Sequence, residues 1–183
     1  MAEGSTRYAA LLRGVNVGTT RIAMADLRRL VADLGHEDVK TYLQSGNAVF
    51  TSRETDTGKL AQGIERAIAD ELGLTVPVLV RSGADLAAVA AASPYAGRQD
   101  DPTRVLVAFL SAKPTAAKVK DLTAPAGENL EYEVIGRELH LHFPDGGYGR
   151  TKFTNAYLEK KLGLVATTRN WKSVLALRDL TGG

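Results

Sequence analysis

Val39-Lys40-Thr41-Tyr42-Leu43-Gln44-Ser45-Gly46-Asn47-Ala48-Val49-Phe50-Thr51 reads as two short strands folded back on one another. Val39 to Leu43 and Ala48 to Thr51 are the strand-like pieces, and Ser45-Gly46-Asn47 supplies the positive φ values that a tight hairpin turn requires. Upstream, Met24, Leu27, Leu30, Val31 and Leu34 recur at helical spacing, with Gly35 where a C-terminal cap falls. Before that helix, Arg7 to Arg13 is a short apolar run leading into glycine, which favours a buried strand. Downstream, Leu60, Ile64, Ile68 and Leu72 mark a second helix ended by Gly73, and Val76 to Val80, with Pro77 near its start, reads as an edge strand. A hairpin between two helices, with a strand at each end, gives the order βαββαβ.

The order then recurs. An alanine-rich helix from Ala84 to Ala92 and a polar segment from Gly97 to Pro102 lead to a strand over Arg104 to Leu110 and a helix over Thr115 to Leu122. Tyr132 to Ile135 and Glu138 to Phe143 flank a turn at Gly136-Arg137; Phe153, Tyr157, Leu158 and Leu162 form a helical stripe closed by Gly163. Leu164 to Thr168 is the last strand, before a helix carrying Trp171, Val174, Leu175 and Leu180. The two halves share a pattern with little identity. They predict a duplicated ferredoxin-like α+β fold, two βαββαβ units at residues 1–95 and 96–183. Each holds an antiparallel sheet with helices on one face, because crossover connections deposit them there.

The composition is that of an ordinary globular protein, with 44% apolar and 24% charged residues in 183. The absence of cysteine excludes disulfides, thiol catalysis and thiolate zinc sites. No charged leader precedes an apolar run, and no apolar stretch approaches the roughly 20 residues that span a bilayer, so no membrane partner is expected and the default location is the cytoplasm. Net charge is only +2, but it is unevenly spread: from Gly146 to Ser173, Arg150, Lys152, Lys160, Lys161, Arg169 and Lys172 face the single acid Glu159.

Four motifs together carry a resemblance. They are Tyr8 to Gly18 (YAALLRGVNVG), Thr41 to Asn47 (TYLQSGN), Gly147 to Asn155 with Leu158 to Gly163, and Thr167 to Trp171 (TTRNW). They resemble the bacterial domain-of-unknown-function family numbered 1697, over about Tyr8 to Leu177. The resemblance implies two related α+β halves and brings no established activity. It also implies serine where this chain has Thr151, a departure that keeps the hydroxyl.

The candidate site centres on Gly146-Gly147-Tyr148-Gly149-Arg150-Thr151-Lys152-Phe153-Thr154-Asn155. A glycine-rich turn entering a helix presents backbone N–H groups, and Arg150 and Lys152 add full charges, which is how a chain cradles phosphate or carboxylate. The competing reading is that the glycines serve a hairpin end and Thr151 or Thr154 caps the helix. The stretch is neither a Walker sequence nor a dinucleotide fingerprint, and no cofactor is expected. Arg169 suits bidentate contact with the same kind of anion, and Asn170 serves either the ligand or the helix cap. Arg13 and Asn16, leaving the first strand, are candidates for the same pocket, against a salt bridge and a turn. His140 and His142 share a strand face without a clear third ligand, so a solvated face is preferred to a metal site. Trp171 reads as a core anchor. The expected partner is an anionic small molecule, bound or turned over; single-stranded nucleic acid is the lower-ranked alternative, since aromatics are 6% and no RNP-like segment is present. Oligomeric state is not legible.

Overall fold

The structure, a computed structural model, describes residues 3–98 and 101–183. Gln99 and Asp100, inside the polar segment expected at 97–102, lie outside the described residues. The chain divides into two units, Met1–Ala88 with Ala176–Gly183, and Val89–Leu175.

In the first unit the elements run β1 (Thr6–Leu12), α1 (Met24–Asp33), β2 (Glu37–Thr41), β3 (Asn47–Ser52), α2 (Thr57–Leu72) and β4 (Val78–Ser82), and α3 (Gly83–Ala92) follows β4 directly. The second runs β5 (Val105–Leu110), α4 (Ala116–Asp121), β6 (Glu131–Ile135), β7 (Glu138–His142), α5 (Asn155–Leu162) and β8 (Ala166–Asn170), and α6 (Trp171–Leu180) starts in the second unit and ends in the first. Each sheet has four strands, in the orders β2-β3-β1-β4 and β6-β7-β5-β8. All pairings are antiparallel, so each parallel pair is separated by one strand that its helical crossover must pass. This is the duplicated ferredoxin-like α+β fold expected from the repeat.

Side-chain alternation explains the cores. Tyr8, Ala10 and Leu12 of β1, Ala48 and Phe50 of β3 and Val78 and Val80 of β4 meet the stripes Leu27, Leu30, Val31 and Leu60, Ile64, Ile68 of the two helices. In the second unit Leu106, Ala108 and Leu110, Leu139 and Leu141, and Ala166 meet Phe153, Leu158 and Leu162. The intervening positions are buried as well: Ala9, Leu11 and Val49 in one sheet, Val105, Val107 and Phe109 in the other. That double burial is why β1 and β5 read as continuous apolar runs.

Three expectations are corrected. The β2–β3 connection is a longer loop, not a tight turn, because Gly46 O accepts Leu12 N at 2.9 Å and Asn47 Nδ2 donates to Tyr42 O at 2.8 Å. Its left-handed residues are Gly46 and Leu43; Asn47 is already strand. The last strand starts two residues later than expected, since Ala166 pairs with Leu110 and Val165 only leads in, exchanging bonds with Ser111. Arg169 and Asn170 are therefore strand residues. His140 and His142 lie on a buried face, 1% and 8% exposed, instead of a solvated one.

Helix ends follow their caps. Asp56 accepts from Gly58 N and Lys59 N at 2.9 and 3.1 Å, and Gly73 closes α2 in the left-handed region. Asp56→Ala should cost about 1 kcal/mol of stability, as cap removal usually does. Urea denaturation of the variant checks it; an unchanged midpoint would mean that the cap adds nothing.

Candidate anion-binding site

The glycine-rich stretch leaves β7 through Phe143 and Pro144. Gly146 and Gly147 both take left-handed backbone, φ 70° and 98°, and a short 3-10 turn, Tyr148–Arg150, follows. Gly146 N donates to Phe143 O at 3.0 Å, and Arg104 Nη1 donates to Pro144 O at 2.7 Å, which fixes the base of the loop. Thr154 caps α5, accepting from Tyr157 N at 3.2 Å. The competing reading of the stretch holds: a threonine, Thr154, caps the helix, and a glycine turn precedes it.

What the loop does with its remaining donors is informative. Thr151 Oγ1 donates to Glu128 Oε2 at 2.7 Å, and Lys152 N donates to Glu128 Oε1 at 2.8 Å. One carboxylate is held by two donors from consecutive residues. These bonds, backbone first, with the Lys152 charge, hold the Glu128 carboxyl below the usual carboxylate range. Thr151 also accepts from Phe153 N at 3.0 Å, so the hydroxyl retained where serine was expected is used in both directions. The N–H groups of Gly147, Tyr148 and Gly149 have no hydrogen-bond partner among the described residues. Arg150 and Lys152 are both exposed.

Arg169 lies on the sheet face away from the helices, 7% exposed, opposite Val107. Its Nη1 donates to Thr167 Oγ1 at 2.7 Å and to Thr168 O at 3.0 Å. Burial pulls its pKa down to about 10, while Tyr148 acts in the other direction, so it stays charged at neutral pH and lies within electrostatic reach of the glycine loop. Asn170 caps α6 through Ser173 N at 2.9 Å. In the first unit, Asn16 adopts φ 58° and clamps two loops, donating to Ile22 O and Gln44 O and accepting from Ile22 N. Arg13 is half-buried at the end of β1, its N–H on Pro77 O. The second unit therefore gathers Arg150, Lys152, Tyr148 and Arg169; Arg13 and Asn16 belong to the first.

Sequence reasoning missed Glu128 and Arg81. Nothing local marks Glu128, far from Thr151 in the chain. Arg81 had a signal: β4 and β8 each carry arginine as the fourth residue, then a capping residue and a helix without a loop. Arg81 is 1% exposed and bonds its own preceding carbonyl, Val80 O, as Arg169 bonds Thr168 O. Ser82 and Asp85 close a reciprocal capping box where Asn170 caps α6. Among the described residues no group of three or more His, Cys, Asp or Glu could hold a metal ion, and no helix is long and apolar enough to cross a membrane.

Two of the four motifs, those over residues 8–18 and 41–47, fall within residues 5–140, which match the profile of a family described as protein of unknown function (DUF1697). The chain belongs to this family. The matched residues end before the glycine loop. A solved structure, the conserved bacterial protein SP0830 from Streptococcus pneumoniae, is similar over nearly the whole length, with 26% identity, a TM-score of 0.71, and 97% of this chain and 99% of that one covered. No curated protein matches the chain.

Proposed function

We propose that this DUF1697 protein binds a phosphate- or carboxylate-bearing small molecule at the glycine loop of its second unit. The observation that carries the reading is Glu128: a carboxylate already sits on Thr151 Oγ1 and Lys152 N, so these donors have the disposition an anion needs. Glu128 is half-buried, and an incoming anion displaces it at a cost of about one charge-assisted hydrogen bond. The ligand then takes those two donors, the Lys152 and Arg150 charges and the neighbouring N–H groups of Gly147, Tyr148 and Gly149. Arg169, buried within electrostatic reach of Tyr148, adds positive potential, and Asn170 fixes the helix start that follows it. Arg13 and Asn16 shape loops of the first unit and are left out of this contact set.

Two observations rank the alternatives. No side chain in the loop is placed as a general base, so binding is favoured over catalysis. The sheet surfaces that ferredoxin-like RNA binders use are buried here at Val107 and Phe109, and at Ala9 and Val49, which disfavours single-stranded nucleic acid.

Calorimetric titration with inorganic phosphate, phosphate monoesters and small carboxylates at low salt tests the proposal. At least one class should bind, and Lys152→Ala should weaken it about tenfold, the value of one charge-assisted contact. Equal affinity in wild type and Lys152→Ala would remove the loop from consideration.

A further inference from the structure

The first unit holds a cavity chemically different from the glycine loop. At the end of its sheet where β1 begins and β3 ends, a pocket of about 530 Å³ is lined by residues including His36, Glu37, Thr51, Ser52, Arg53 and Glu54. That volume lies within the range of small-molecule sites, roughly 300–1,000 Å³. Three rings touch in sequence and end at it: Tyr8 meets Phe50 in a tilted contact, 5.9 Å and 32°, and His36 stacks on Phe50, 4.6 Å and 29°. Tyr8 and Phe50 are core residues, so the His36 ring is anchored from the core, and Tyr8 is further fixed by its hydroxyl on Glu54 O at 2.8 Å.

His36 is the ring that reaches the pocket. It is only half-buried, and neither ring nitrogen has a hydrogen-bond partner among the described residues. Burial lowers its pKa, which keeps it neutral at pH 7, with one donor and one acceptor. Glu37 and Arg53 likewise have no bonded partner among the described residues, whereas Glu54 already accepts from Asp56 N at 2.9 Å. Two carboxylates against one guanidinium make the wall net negative.

We propose that this pocket binds an uncharged planar heteroaromatic ring, a nucleobase or its nucleoside, stacked on His36 over Phe50. The stack supplies a rigid aromatic platform, and Glu37, Arg53 and the His36 nitrogens supply edge acceptors and donors. The negative wall discriminates against phosphorylated forms. This proposal rests on the first unit alone and does not depend on the glycine loop.

Titration with adenosine, guanosine, cytidine and uridine, followed by the histidine ring proton resonances and by calorimetry, tests it. At least one nucleoside should bind, shift the His36 resonance and bind more tightly than its own monophosphate. His36→Ala should weaken it at least tenfold; His36→Phe, which keeps a ring on Phe50 if the alanine variant loses its fold, should stay within about threefold, given the worth of base–aromatic stacking. No binding of any nucleoside at millimolar concentration, or binding indifferent to His36→Ala in a folded variant, would overturn the proposal. So would preference for the monophosphate; if Lys152→Ala removed that preference, the binding would belong to the glycine loop.

Discussion

Gly46→Ala is expected to destabilise the protein by about 3 kcal/mol, through two costs of roughly 1–3 kcal/mol each for backbone strain and overpacking. Gly46 sits at φ 86°, and a β-carbon there would lie 2.9 Å from Leu12 Cβ and 3.3 Å from Val15 Cβ, both buried. The loop has no freedom to retreat, because Gly46 O accepts the Leu12 amide at 2.9 Å and Asn16 ties the same loop through Gln44 O at 2.7 Å. Gly35→Ala separates the two costs. Its φ is 89° but a β-carbon there meets nothing within 4 Å, so only the strain remains, about 1 kcal/mol. Denaturation of both variants checks the difference; equal losses would show that the close approach to Leu12 and Val15 has no energetic weight.

The second large effect is on pH. His140 is 1% exposed, its Nδ1 has no hydrogen-bond partner, and burial lowers its pKa from 6.5 to about 4. In its row across the sheet His140 lies between Glu133 and Val107, with Arg169 beyond Val107, so an imidazolium there would sit two strands from a buried guanidinium. The unfolded chain takes up the proton near pH 6.5 and the folded chain only near 4. Stability attributable to this group is therefore complete above 6.5 and falls progressively as pH drops to 4, by about 3 kcal/mol at 1.36 kcal/mol per unit. His140→Leu should flatten this part of the stability profile. An unchanged slope in that variant would assign the acid sensitivity elsewhere.

The fold was legible because its signals are local and redundant. Leu60, Ile64 and Ile68 at helical spacing, ended by Gly73, leave little else for that segment to be. Boundaries set by pairing were less legible. Leu164 and Val165 look like strand residues, but the strand is defined by what β5 presents, and Ala166 opposite Leu110 moves it two residues on. That shift moves Arg169 from just past the strand end into the strand, where it is buried. The burial of His140 and His142 was foreshadowed by their neighbours. β5 is apolar at every position, which requires both its faces to be covered, and β7 beside it shares that burial. Glu128 had no such foreshadowing, since a carboxylate that meets a distant loop leaves no periodicity in the chain.

The central claim is that Thr151 and Lys152 hold Glu128 in place of a ligand. Phosphate affinity of Glu128→Ala against wild type, by calorimetry at low salt, tests it most directly, with Glu128→Ala plus Lys152→Ala beside them. Glu128→Ala should bind phosphate about tenfold more tightly, the order of a charge-assisted bond, and the second substitution should remove the gain. Weaker binding by Glu128→Ala would contradict it and leave Glu128 as a strut of the loop.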